Sequence, residues 1–164
     1  MGRLFGLPGE PTGNTLASEY KTAEALTQSD VPPEEVVVVP SNKVSAVLCS
    51  TDLERSQDFY THKVGLTLSS ATIKNHLVFE CGDGTTLLLY GRPSPNKADH
   101  TQVRFWSADI SADVRELVAR GVEFDQVEFG DLKMVDHVLT SPGIVKSAWF
   151  KDPDGNTLAL YQPE

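Results

Sequence analysis

Val44-Ser45-Ala46-Val47-Leu48-Cys49-Ser50-Thr51-Asp52-Leu53-Glu54-Arg55-Ser56-Gln57-Asp58-Phe59-Tyr60 runs an apolar stretch straight into a helix start. Val44 to Cys49 reads as a strand. Thr51-Asp52-Leu53-Glu54 has the form of a capping box, in which a hydroxyl accepts from the first-turn amides and a glutamate reaches back to the cap. The helix it opens is expected to pass through Phe59-Tyr60 and stop near Gly65, since glycine takes the left-handed conformation that ends a helix. Strands are expected next at about 66–71, 76–81 and 85–90. The last two are joined by Cys81-Gly82-Asp83-Gly84, a hairpin turn containing Asp-Gly.

The same order returns after a polar loop from Gly91 to Asp99. Thr101 to Ser107 reads as a strand, and Val114, Leu117 and Val118 mark one face of a helix ended by Gly121. Strands follow at about 122–129, 145–150 and 156–161, the last pair linked by the turn Asp152-Pro153-Asp154-Gly155-Asn156. Asp52-Leu53 precedes Gly65-Leu66 by 13 residues, and Asp109-Ile110 precedes Gly121-Val122 by 12. A βαβββ module therefore occurs twice, at about 43–90 and 101–161. The fold class this implies is α+β, with the two modules forming a curled mixed sheet around a cavity and the helices outside.

Outside the modules lies a segment of different composition. Residues 1–40 carry five of the ten prolines and two cations against six carboxylates. They read as an extension or arm, with Leu16, Tyr20, Ala23 and Leu26 at helical spacing after Asn14, a candidate N-cap. Residues 41–164 form a single domain. The whole chain has 164 residues, a formal net charge of -9, 40% hydrophobic and 23% charged residues, and a mean hydropathy of -0.22. Those proportions fit a soluble globular domain and exclude collagen-like, coiled-coil and disordered classes. An acidic field repels phosphate backbones and anionic lipid headgroups, so neither nucleic acid nor membrane is an expected partner. Cys49 and Cys81 lie in apolar strands without zinc spacing and read as buried reduced thiols, which points to a cytoplasmic protein. Leu4-Phe5-Gly6-Leu7 is too short for the apolar core of a secretory signal, and no run reaches the ~20 apolar residues of a membrane span.

Three segments taken together resemble the vicinal oxygen chelate superfamily, which includes glyoxalase I, bleomycin resistance proteins, fosfomycin resistance enzymes and extradiol dioxygenases. They are Asp52 to Tyr60 with Gly65-Leu66, then Ala108-Asp109-Ile110 leading to Ala119-Arg120-Gly121-Val122-Glu123-Phe124, and finally Ala148-Trp149-Phe150-Lys151-Asp152-Pro153-Asp154-Gly155-Asn156. The resemblance spans about residues 43–162 and implies the glyoxalase/bleomycin resistance fold. These segments are caps and turns, which speak to fold more than to chemistry. Enzymes of the superfamily hold a divalent metal through His, Gln or Glu on four strands. The corresponding positions here are Ser45, Leu88, Gln102 and Ala159, of which Gln102 alone is a plausible ligand, so no metal or other cofactor is expected.

Period-two alternation through those positions puts Ser45, Val47 and Cys49 on the cavity face, with Thr86, Leu88 and Tyr90 beside them. Gln102, Arg104 and Trp106 join from the next module, with Thr157, Ala159 and Tyr161. The opposite parity is uniformly apolar, as a helix-covered face requires. The expected site is an aromatic pocket with Gln102 and Arg104 as polar fixtures, binding or sequestering an aromatic or cationic small molecule in a homodimer. The alternative is a divalent-metal-dependent lyase, isomerase or dioxygenase with altered ligands, such as Gln102 with His137 or Glu80. His62, His76 and His100 read as surface residues. The segment from Gly130 to Gly143, which carries His137 beside Asp136, reads as a lid over the cavity mouth.

Overall fold

In the computed structural model, residues 43–163 are described. The expected arm and its helix lie outside them. The first module comprises β1 (Ser45–Ser50), α1 (Leu53–Asp58), β2 (Thr67–Leu68), β3 (His76–Glu80) and β4 (Thr86–Gly91). The second comprises β5 (Val103–Trp106), α2 (Ile110–Ala119), β6 (Met134–Val135), β7 (Val138–Ser141), β8 (Val145–Lys151) and β9 (Thr157–Pro163). Two mixed sheets result, in the orders β1-β4-β3-β2 and β5-β9-β8-β7-β6. In each, the first strand pairs in parallel with the last, Val47 opposite Leu88 and Arg104 opposite Ala159. The α+β class and the repeated module are as the sequence implies.

Each sheet has one face sealed by apolar packing. Leu48, Leu77, Phe79, Leu87 and Leu89 are buried in the first module, and Val103, Ala148, Phe150, Leu158 and Leu160 in the second. They pack with Phe59, Tyr60, Ile110, Val114 and Leu117 from the helical layer into one core cluster. These are the apolar-parity positions, and burying them supplies most of the favourable energy, at roughly 25 cal/mol per Å² of apolar surface.

The helix ends repeat the pseudo-symmetry of the modules. Asp52 is the N-cap of α1, its carboxylate accepting from Arg55 N at 3.1 Å, and Asp109 caps α2 by accepting from Ala112 N at 3.0 Å. The cap thus falls one residue later than the Thr51 capping box expected, because the Thr51 hydroxyl is drawn away to Asp154. After Asp58 the chain continues as one wider π-type turn over Phe59–Val64 before Gly65 stops it. Lys63 Nζ donates to the Gly121 carbonyl at 3.0 Å, while the Arg120 guanidinium lies against Gly65. Each helix end therefore leans on the other module's glycine stop. Gly65 has φ of +86°, and a Cβ there would fall 2.6 Å from Arg120 Nη1. We expect Gly65→Ala to cost about 1–2 kcal/mol by thermal or denaturant unfolding. Gly82→Ala, where an added Cβ meets nothing within 4 Å, should be near neutral.

Three sequence expectations are corrected. The strand expected at 66–71 shortens to Thr67–Leu68, since a turn closed by Thr72 N donating to the Ser69 carbonyl at 3.2 Å bends the chain off the sheet. No strand occupies 122–129. Val122 and Phe124 are buried, so the alternation there reflects packing, while backbone pairing is limited to two isolated bridges, Phe124 with Phe150 and Phe129 with Leu132. The missing strand is β7, inside the segment read as a lid. Its Leu139 pairs with Ser147 and its Ser141 with Val145, and Val138 and Leu139 are buried. The segment is hydrogen-bonded sheet, which removes the lid reading of His137.

Candidate functional site

The unsealed faces of the two sheets carry the side chains assigned to the cavity. In the first sheet, Ser45, Val47 and Cys49 stand opposite Thr86, Leu88 and Tyr90 in register. Ser45 and Thr86 hydroxyls bond each other at 2.8 Å, and Ser45 Oγ also donates to the Thr86 carbonyl at 3.2 Å. In the second sheet Arg104 opposes Ala159 and Trp106 opposes Tyr161. The Arg104 guanidinium lies 3.9 Å from the centroid of the Tyr161 ring, and Trp106 meets that ring edge-on at 6.0 Å. Val47 is 53% exposed and Trp106 73%, so this face is open and its aromatic surface is presented outward.

Registers of the inner strands add residues to these faces beyond the pocket expected from the sequence, among them Glu80, considered there as an altered metal ligand. His76 opposes Tyr90, Val78 opposes Leu88 and Glu80 opposes Thr86, which places all three on the first sheet's open face. His76 and Tyr90 rings lie side by side, tilted by 32° with centroids 6.3 Å apart. Trp149 opposes Ala159 and Lys151 opposes Thr157 on the second. Trp149 Nε1 donates to Thr101 Oγ1 at 3.1 Å, and Lys151 Nζ donates to Thr157 Oγ1 at 2.8 Å. Beside them is a recess of about 340 Å³ lined by Trp149, Lys151, Thr157, Leu139, Phe129 and His100. The signal was available: buried Leu77, Phe79, Ala148 and Phe150 set the parity of β3 and β8, and the alternate residues must face the other way. Both tryptophans of the chain consequently lie on one sheet face.

Gln102 does not stand free as a ligand. Its Oε1 accepts from Thr157 N at 2.9 Å and its Nε2 donates to Asn156 Oδ1 at 3.2 Å, so the side chain ties β5 to the start of β9. Ser45 is engaged with Thr86, Leu88 offers an alkyl chain, and Ala159 is a buried methyl. Hard divalent cations need several oxygen or nitrogen donors converging on one point. This donor set does not fit the superfamily's metal. The altered set fares no better: His137 sits at the β6–β7 turn with Nδ1 against the Gln126 amide at 2.8 Å, and Glu80 ends β3. Among the described residues no group of three or more His, Cys, Asp or Glu side chains converges to hold a metal.

The turn between β8 and β9 joins the modules. The Asp154 side chain is 1% exposed and accepts from Thr51 N at 3.0 Å, Arg55 Nη2 at 3.2 Å and Ser56 Oγ at 3.3 Å. Burial opposes its ionisation, but bonds from Thr51 and the Arg55 charge outweigh that and hold its carboxyl below the usual range. A carboxyl depressed in the folded state stabilises above its unfolded value, and that stability is lost as pH falls through the folded value. We expect the melting temperature to fall as pH drops below about 4, and Asp154→Asn to flatten that dependence while lowering stability at pH 7. Melting curves of both proteins across pH 2.5 to 7, about the span of carboxyl titration, measure it.

A family model described as the Glyoxalase/Bleomycin resistance protein/Dioxygenase superfamily matches residues 44–160. The chain belongs to this superfamily. Among solved structures, it is similar to an antibiotic binding protein from Streptomyces sp. CB03234, at 26% identity and a TM-score of 0.59, covering 77% of this chain and 99% of that one. A lactoylglutathione lyase from Agrobacterium tumefaciens shares the fold at 22% identity and a TM-score of 0.54, covering 76% of this chain and 96% of that one. A glyoxalase/bleomycin resistance protein/dioxygenase from Nocardioides covers 90% of this chain and 93% of its own at 21% identity and a TM-score of 0.53. No curated protein matches the chain in sequence. Superfamily membership covers binders and enzymes alike, so the site must decide between them.

Proposed function

We propose that this superfamily member binds a planar aromatic small molecule on the open sheet faces and sequesters it without metal-dependent conversion. The observation that carries this reading is Trp106 edge-on to Tyr161 with Arg104 over that ring and Trp149 on the same face, around Ala159, a position the resemblance gives to a metal donor. Rings offer large contact area at low entropic cost, and a guanidinium adds cation–π attraction. Likeness to an antibiotic binding protein at 26% identity supports a binding role. Arg104 and Lys151 on the second sheet's face and Glu80 on the first give the site charges of both signs, which suits aromatic ligands of either charge.

The reading is tested by equilibrium dialysis against ethidium and anilinonaphthalene sulfonate, a planar cation and an aromatic anion, with protein stripped by chelator and with protein reloaded with Mn, Fe, Ni or Zn. Equal binding by stripped and reloaded protein, with the small molecule recovered unchanged in mass, is expected. Binding that appears only with metal, or a product of altered mass, would restore the enzymatic alternative.

A further inference from the structure

On the helix-covered side of the second sheet, α2 and the β6–β7 hairpin do not close fully against each other. They leave a cleft of about 600 Å³, separate from the open sheet faces. Its floor is apolar, built from Val114 and Val118 of α2 and Val135 and Val138 of the hairpin. Val118 is 44% exposed and Val135 69%, which leaves apolar surface uncovered on both sides of one groove. Around that floor stand Arg115 from the helix and Lys146 from β8, with the hydroxyls of Ser111 and Thr140. In a chain of net charge -9, the lining brings two cations and two hydroxyls together over a valine floor.

The hairpin turn adds a second feature. Asp136 and His137 both hold positive φ, 48° and 67°, where a two-residue turn of this kind ordinarily carries Asn-Gly or Asp-Gly. Asp and His are among the non-glycine residues that enter this region most readily. His137 lines the cleft, its ring packed on Phe124 at 5.8 Å between centroids. Its Nδ1 lies 2.8 Å from the Gln126 amide nitrogen, which fixes the ring at the cleft wall. Asp136 is the one carboxylate in the lining.

We propose that this cleft binds a small amphiphilic monoanion, its apolar body on the four valines and its carboxylate on the Arg115 guanidinium. A guanidinium matches a carboxylate in a bidentate fashion, and a volume near 600 Å³ is ordinary for a small-molecule site. Asp136 disfavours a second negative charge.

Decanoate, kept below its micellar range, is the probe, with methyl decanoate as its neutral counterpart, titrated into the full chain by calorimetry. Saturable binding of decanoate is expected, with methyl decanoate at least about 10-fold weaker, as loss of a charge-assisted contact implies. Arg115→Gln and Val118→Asp, both at exposed helix positions, should each weaken decanoate about 10-fold or more with unchanged melting temperature. His137→Asn, which tolerates the left-handed turn but withdraws the ring from the cleft, should weaken binding. Trp106→Ala on the open sheet face should leave it unchanged. The proposal is overturned by absence of saturable binding, by equal affinity for the ester, by an indifferent Arg115→Gln variant, or by loss of binding in Trp106→Ala, which would move decanoate to the sheet face.

Discussion

Asp152→Ala should destabilise the protein by about 2–4 kcal/mol, since it leaves several buried donors without their acceptor at roughly 1–3 kcal/mol each. Asp152 is buried and accepts from Tyr60 Oη at 2.9 Å, Asn156 Nδ2 at 2.7 Å, Asn156 N at 2.8 Å and Asp154 N at 2.9 Å. Tyr60 comes from the first module, and Asn156 Nδ2 also donates to the Cys49 carbonyl at 3.0 Å, so one carboxylate holds the turn of the second module against both helix and strand of the first. Alanine would strand a buried phenol and two backbone amides. Burial first, and the neighbouring Asp152 charge second, push the Tyr60 hydroxyl well above its ordinary value, which keeps it protonated as a donor. Tyr60→Phe removes only that donor and should cost about 1 kcal/mol more than its packing change, a net hydrogen-bond value. A denaturant series on the two single variants and the double one measures the coupling; near-equal small losses would show that the turn does not join the modules.

Trp106→Ala is expected to do the opposite: little change in stability, large loss of binding. The side chain is 73% exposed, so truncation strips almost no core, and surface changes of this kind stay within about 0.5 kcal/mol. As a binding anchor it should cost about 10- to 100-fold in affinity for the aromatic ligand, the scale of an aromatic hot spot. Arg104→Met, which keeps an apolar stem over Tyr161 and removes the charge, should lose several-fold if the guanidinium contacts ligand. Comparison of melting temperature with dissociation constant separates the two roles. A Trp106→Ala variant that binds as well as the parent would move the site elsewhere.

The fold was readable because its determinants are local. Asp52 and Asp109 cap helices, Gly65 and Gly121 end them, and strands buried on one face alternate in sequence. What escaped reading was set by long-range pairing. Val122 and Phe124 alternate like a strand yet lack a ladder, and Val138-Leu139-Thr140-Ser141 does not alternate yet pairs with β8, entered through a turn without glycine. Thr51 left its expected capping role because Asp154, 103 residues away, competes for its hydroxyl. For the site, Arg104, Trp106 and Tyr161 were readable from strand parity. Gln102 was read as a candidate ligand because its residue type allows one. Its bonds to Thr157 and Asn156 depend on β5 lying beside β9, which no local pattern encodes. Trp149 is not among the residues expected from the edge strands; the parity of β8, set by buried Ala148 and Phe150, places it on the same face.

Because both tryptophans share one face, the chain's own fluorescence reports on the site without labels. The most direct test titrates planar aromatic cations and anions, ethidium and anilinonaphthalene sulfonate first, into the intact chain while following tryptophan emission. Saturable quenching that is lost in Trp106→Ala and unaffected by chelator is predicted. Emission that stays unchanged to millimolar concentrations of both charge classes, or quenching that persists in Trp106→Ala, would contradict an aromatic binding face.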